Sequence, residues 1–145
     1  MATRTASAAK DSAIIKQLRV GCWAVSSTFS IPANQSISAG DVIQMIRVPA
    51  NSQVVFLGVR SDYFQAAIEV GDGLDDDRYL QAMSTSALFA QVCGFNAAVG
   101  TNIVAPYTYS TDDTIDILAT LVSVSSVLGA FYMTAILTMD PTQYN

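Results

Sequence analysis

The chain has 145 residues, 51% of them hydrophobic and only 13% charged, with no histidine and a formal net charge of -5. A domain of this size buries roughly two-thirds of the surface its unfolded chain exposes, so it needs neither disulfide staples nor a structural metal, and disorder is excluded for most of it. The missing histidine removes the commonest general base near neutral pH, the commonest zinc ligand and the usual partner of a Ser or Cys nucleophile, which argues against ordinary hydrolytic and metal chemistry.

Taken from the start, residues 1 to 20 carry Arg4, Lys10, Lys16 and Arg19 against the single acid Asp11, a net +3, while the remainder carries three arginines against eleven acids, a net -8. This segregation predicts an extended basic N-terminal arm over 1–20 and an acidic body over 21–145, two surfaces suited to two partners. Ala13, Ile14, Ile15 and Leu18 are too sparse to nucleate a core and suit a groove on a neighbour, where the arm would order on contact. Four spaced cations on an acidic chain make a weak phosphate footprint, so no direct contact with nucleic acid is expected. Met1 to Lys10 lacks the apolar core of a secretory signal, and the expectation is a protein made in cytoplasm.

Beyond the arm, alternation of apolar and polar residues predicts a succession of strands. The first is Cys22 to Ile31, stopped by Pro32, whose missing N–H and fixed φ end a ladder. After a polar turn at Asn34 to Gly40 come Asp41 to Val48, a tight connection at Pro49-Ala50-Asn51-Ser52, and Gln53 to Ser61. The contiguous Val54, Val55, Phe56, Leu57 and Val59 predict burial of that third strand on both faces. Ala66 to Val70 follows as a fourth strand.

Gly71-Asp72-Gly73-Leu74-Asp75-Asp76-Asp77 reads as a turn too acidic to be core, leading into a short helix over Arg78 to Met83 capped by one of the aspartates. Asp72, Asp75, Asp76 and Asp77 are the raw material of a calcium site, but the spacing lacks the alternation and the distal Glu of a calcium loop. A solvated turn with an ion pair to Arg78 is the simpler reading, with the loop a second contact surface. No metal and no cofactor are expected.

Val99 to Tyr109 reads as extended, with Pro106 indicating an edge. Asp112 and Asp113 begin a turn through side-chain bonds to the backbone, before strands at Thr114 to Leu121 and Ala130 to Met139. The uncharged stretch Ile117 to Met139 is long enough to cross a bilayer as a helix, yet its β-branched and hydroxyl content, its serine interruption and Gly129 favour two strands and a turn, and no membrane partner is expected. Cys22 and Cys93 lack metal-ligand spacing and read as two small buried hydrophobes. Seven or so strands without helical crossovers predict an all-β protein, a single antiparallel β-sandwich of jelly-roll or Greek-key type with an extended N-terminal arm.

The order of DVIQMIRVPANSQVVFLGVRSD (Asp41 to Asp62), IEVGDGLDDDRYLQAM (Ile68 to Met83), YTYSTDDTIDILAT (Tyr107 to Thr120) and a closing apolar strand resembles the capsid cement, or decoration, proteins of tailed double-stranded-DNA bacteriophages. The resemblance covers roughly residues 41 to 139. It implies a non-enzymatic virion protein that binds the outer surface of the assembled head, bridges major capsid protein subunits and associates with itself as a dimer or trimer, after assembly in the bacterial host cytoplasm. The arm lies outside the resemblance, and its charge makes Arg4, Lys10, Ile14, Ile15, Lys16, Leu18 and Arg19 the expected capsid contacts. Asp72, Asp75, Asp76, Asp77 and Arg78 of the acidic loop would be further contacts. The competing class is a receptor- or glycan-binding module of a phage tail or fibre, in which Tyr63, Tyr79, Tyr107, Tyr109 and Tyr132 would stack on sugar faces.

Overall fold

In the computed structural model, residues 1–6, 9, 21–32, 35–62, 66–84, 89–93, 107–122 and 129–139 are described. Nine strands occupy most of them: β1 (Thr3–Thr5), β2 (Gly21–Ser30), β3 (Val42–Val48), β4 (Ser52–Ser61), β5 (Ala66–Asp72), β6 (Asp75–Ser84), β7 (Phe89–Cys93), β8 (Asp113–Val122) and β9 (Ala130–Met139). They form two sheets, a five-stranded one in the order β1-β3-β8-β5-β6 and a four-stranded one in the order β2-β9-β4-β7. From β2 onward the chain alternates between the sheets, except at the β5–β6 hairpin, and neighbours within each sheet are antiparallel. This interleaving is the jelly-roll topology of two nested Greek keys.

The core lies between the sheets and is filled from alternate positions of each strand. Ile43, Met45, Ile46, Ile68, Val70, Ile115 and Ile117 come from the five-stranded sheet; Val25, Leu57, Val59, Phe131, Met133 and Leu137 come from the other. At about 25 cal/mol per Å² of apolar surface removed from water, burying each such side chain is favourable by roughly 1.5 to 3 kcal/mol, and period-2 patterning directs them all to one interior. Where that period breaks, the ladder shows why. Val55 is an extra residue between Val54, opposite Leu137, and Phe56, opposite Ile136. This bulge lets a contiguous apolar run keep one buried face, with Val55 and Phe56 left half-exposed, in place of the expected burial on both faces. Met45 is bulged in the same way on β3, so Met45 and Ile46 are both buried. The tight connection before β4 turns on Asn51, whose φ of 63° is one that asparagine tolerates better than most side chains.

Arg78 to Met83, expected as a capped helix, lies within strand β6. Its backbone is held opposite β5, with Asp72 across from Asp75 and Val70 across from Leu80. The close approach at this hairpin requires glycine: a Cβ on Gly71 would lie 1.9 Å from the Asp75 carbonyl oxygen. β1 and β7 are strands that alternation did not reveal. Of the expected arm, Thr3–Thr5 pairs parallel with Val42–Gln44 along the edge of the five-stranded sheet, and Ala6 continues the contact by donating its N–H to the Gln44 carbonyl at 2.8 Å. Residues 10–20 lie outside the described residues, as do residues 99–106 of the expected stretch ending at Tyr109. The apolar stretch from Ile117 to Met139 is divided between β8 and β9, which belong to different sheets.

Candidate interaction surfaces

The acidic loop is the tip of the β5–β6 hairpin, and its first aspartate is a core residue. The expectation of a fully solvated turn fails at Asp72, which is 1% exposed because its carboxylate replaces the water it loses with hydrogen-bond donors. Oδ1 accepts the Leu74 and Asp75 N–H groups at 3.0 and 3.1 Å, and Oδ2 accepts Arg78 Nε at 2.5 Å. Arg78 also lies 3.7 Å from Asp75 and stacks its guanidinium 3.7 Å above the Tyr107 ring. Burial by itself would lower the Arg78 pKa, but the bond and charge of Asp72 outweigh it and hold the guanidinium more firmly protonated than usual.

Tyr107 meets Tyr109 edge to face, with ring centroids 5.0 Å apart, and the Tyr109 hydroxyl lies 2.5 Å from that of Tyr79. Burial drives both phenols well above their ordinary pKa. They are a neutral hydrogen-bonded pair at any ordinary pH and serve as a structural lock. The sugar-stacking arrangement fails here for a physical reason: Tyr79 and Tyr109 are buried, and Tyr107 is capped by Arg78. Tyr132 has Arg60 over its ring at 5.2 Å and its hydroxyl bonded to Asp62, while Tyr63 lies outside the described residues.

Around this hairpin Glu69 feels the charges of Asp77 and Asp76, and Asp116 those of Asp113, Asp72 and Asp76. Asp116, across from Gly71 on one side and Gln44 on the other, has an Oδ1 with no hydrogen-bond partner among the described residues. Burial, reinforced by the charges of Asp113, Asp72 and Asp76 and only partly offset by a bond from Thr114, pushes its pKa up to about 7. Burial, then Asp77 and Asp76, raises Glu69 in the same sense. The region therefore carries a negative field suited to a basic partner. Among the described residues, no three acidic or sulfur ligands converge as a metal site would require.

At the other edge, Asp41 organises the N-terminus. It accepts the Ala2 N–H at 2.8 Å and the Ser38 N–H at 3.1 Å, and Arg4 lies 3.6 Å away. Burial would raise its pKa, but these backbone donors and the Arg4 and N-terminal charges prevail and hold it below the usual carboxylate range. Arg4 further donates to Gln35 Oε1 at 2.6 Å and to the Ser36 carbonyl at 2.8 Å. The guanidinium expected to reach a neighbour is thus engaged within its own chain. Lys10, Ile14, Ile15, Lys16, Leu18 and Arg19 lie outside the described residues. Ala9 borders an open groove with Gln44, Arg47, Asp112, Asp113 and Thr114. Along it Asp112 accepts from Arg47 at 2.8 Å and from the Ala50 N–H at 2.9 Å, both of which lower its pKa.

The four-stranded sheet has a different outer face. β2 presents Cys22, Ala24, Ser26, Thr28 and Ser30, and β9 presents Tyr132, Thr134, Ile136 and Thr138, none of them charged. Cys22 is exposed and free, contrary to the expected burial. Its strand and that of Cys93 are the two outermost of this sheet, roughly 14 Å apart by strand spacing, too far for a bridge.

No protein-family model matches the sequence, and no curated protein is detectably similar to it in sequence. The fold is shared with chains in three bacteriophage capsid structures. A chain of the cyanophage Pam1 capsid asymmetric unit superposes with a TM-score of 0.65 at 13% identity, over 83% of this chain and 86% of that one. A chain of the capsid of Ralstonia phage GP4 gives 0.61 at 12% identity, over 81% and 85%. A chain of the acid-stable capsid of Helicobacter pylori bacteriophage KHP30 gives 0.58 at 10% identity, over 85% and 90%.

Proposed function

We propose that this chain is a non-enzymatic structural protein of a bacteriophage virion, a cement protein that binds the outer surface of the assembled head and bridges major capsid protein subunits. The observation that carries the reading is that its jelly roll matches, over more than four-fifths of both partners, chains of three separate phage capsids. The sequence resemblance to decoration proteins points the same way, as does a charged fraction too low to clothe a free monomer. Two surfaces of opposite character serve such a role. The basic segment around Lys10, Lys16 and Arg19 complements an acidic groove on the shell, and the acidic region around Asp116 complements a basic one.

The mechanism is mass action. A protein that binds the assembled lattice and not its free subunits stabilises that lattice by its binding free energy, and many copies spanning neighbouring subunits add their effects against the pressure of packaged DNA. The test compares virions with and without the protein, by gel densitometry for copy number and by survival on heating. The reading expects hundreds of copies per particle and earlier rupture of particles that lack them. Equal survival, or a few copies per particle, would refute it.

A further inference from the structure

Strand β2 is an edge of the four-stranded sheet, and among the described residues it pairs with β9 alone. The pairing runs unbroken from Gly21 opposite Met139 to Ser30 opposite Ala130, and continues as Ile31 donates its N–H to the Gly129 carbonyl at 3.0 Å. That last bond fixes the phase of the ladder. Odd-numbered residues exchange hydrogen bonds with β9, so the N–H and C=O groups of Cys22, Ala24, Ser26, Thr28 and Ser30 point to the open side.

Such an edge is a template for another strand unless something blocks it. β6 is guarded by Asp75, Asp76, Asp77 and Arg78, and β1 is only three residues long. β2 is ten residues, GCWAVSSTFS, with neither charge nor proline. A second observation lies on its inner row. Ser27 is 5% exposed, yet among the described residues its hydroxyl has no hydrogen-bond partner, an unfavourable arrangement in a finished structure. Beside it Phe29 packs on the core but is only half-buried, which leaves apolar surface at the seam.

We propose that the open edge of β2 seats a second copy of this chain, the two β2 strands pairing antiparallel about a two-fold axis at Ser27. The register is self-consistent. With Ser27 opposite its own copy, Ser26 faces Thr28 and Ala24 faces Ser30 as hydrogen-bonded pairs, and these are the residues whose backbone groups face the open side and are unpaired among the described residues. Ser27, Val25 opposite Phe29 and Trp23 opposite Ile31 fall on the non-hydrogen-bonded positions, where side chains come closest. The two Ser27 hydroxyls then satisfy each other, flanked by apolar pairs, and no two like charges meet on the axis. The contact is isologous and closes at two copies. A strand from a different protein would gain the backbone bonds but would satisfy Ser27 only if it placed a polar side chain opposite it, which the two-fold arrangement does by symmetry.

The test is the mass of the purified full chain by light scattering at micromolar concentration, expected at twice the 15.4 kDa chain mass. Ser26→Pro removes an N–H that faces the open edge and none that bonds β9, and is expected to weaken the dimer by at least about tenfold with the fold retained. Ser26→Lys with Thr28→Lys places like charges opposite each other. Those chains should be monomeric alone and should form mixed dimers with a Ser26→Asp, Thr28→Asp chain. Ser27→Cys in a Cys22→Ser background should oxidise to an intermolecular disulfide. A monomeric parent chain, which is also the result if the edge serves only a different protein, overturns the proposal. So does a dimer that survives the lysine pair or fails to cross-link through position 27, and both readouts hold if the proline variant does not fold.

Discussion

The hydroxyls of Tyr79 and Tyr109 meet at 2.5 Å in the interior, although the two residues are held by opposite layers of the sandwich. Tyr79 belongs to β6 of the five-stranded sheet. Tyr109 is held to the rim of the four-stranded sheet, where its N–H donates to the Ser52 carbonyl at 3.0 Å and its carbonyl accepts the Asn51 N–H at 2.7 Å. Tyr109→Phe deletes the shared bond, together with the Tyr109–Asp72 bond beside it, at nearly constant volume and is expected to cost about 1 to 2 kcal/mol, read as a fall in Tm of roughly 3 to 6 °C. An unchanged melting temperature would show that the pair contributes nothing.

Asp72→Ala should be far more damaging than any other aspartate substitution in the hairpin. It strands a largely buried guanidinium and frees two turn N–H groups, a loss of about 3 to 5 kcal/mol. Adding Arg78→Leu removes the orphaned charge and should recover part of the loss. A double-mutant cycle by chemical denaturation checks this, and simple additivity of the two losses would contradict it.

Asp116 makes stability depend on pH in a direction opposite to that of most carboxylates. Its pKa is raised from 3.8 to about 7 on folding, so the folded protein retains a proton that the unfolded chain releases. No penalty exists below about pH 4; stability falls as pH rises toward 7, and the cost is constant above it. Asp116→Asn is therefore expected to stabilise the protein by about 2 kcal/mol at pH 8, a figure reduced for partial solvent screening, and to have little effect at pH 4. Melting curves at the two pH values separate this from a uniform packing effect.

Asp41 has the opposite sign. Its pKa is depressed on folding, so its contribution is present above the unfolded value of 3.8 and is lost as pH falls through the folded one. Because Asp41 holds Ala2 and Arg4, its protonation should release β1 before the body unfolds. Amide exchange should show Val42, whose N–H donates to the Ala2 carbonyl at 2.9 Å, losing protection in strong acid and in Asp41→Asn at neutral pH. Retained protection in both would exclude Asp41 as the anchor.

Strands whose alternation was clean, such as β8 and β9, were legible in the sequence because their inward rows are apolar and their starts are marked by Asp112 and Gly129, and β3 was legible despite its bulge because Pro49 ends an otherwise apolar run. Strand β6 was not. Aspartates before an Arg-Tyr-Leu run imitate a helix start, and Tyr79 and Leu80 are both buried because the β5–β6 ladder is irregular, which erases period 2. β1 is Thr-Arg-Thr and has no apolar signal; only β3, some forty residues away, makes it a strand. The ion pair at the hairpin could be anticipated from composition, but the burial of Asp72 could not. It depends on Arg78 being covered by Tyr107, and on Tyr79 and Tyr109 lying beside it, contacts that a local reading cannot see.

The short segment from Tyr107 to Tyr109 gives the sandwich a mechanical property that neither sheet has alone. Thr108 bridges to Gln53 at one layer while the Tyr109 phenol is locked to the other. A load that tries to slide the layers past each other must first draw an aromatic ring out of the interior, so the two plies bear shear together, as cloth does across a stitch.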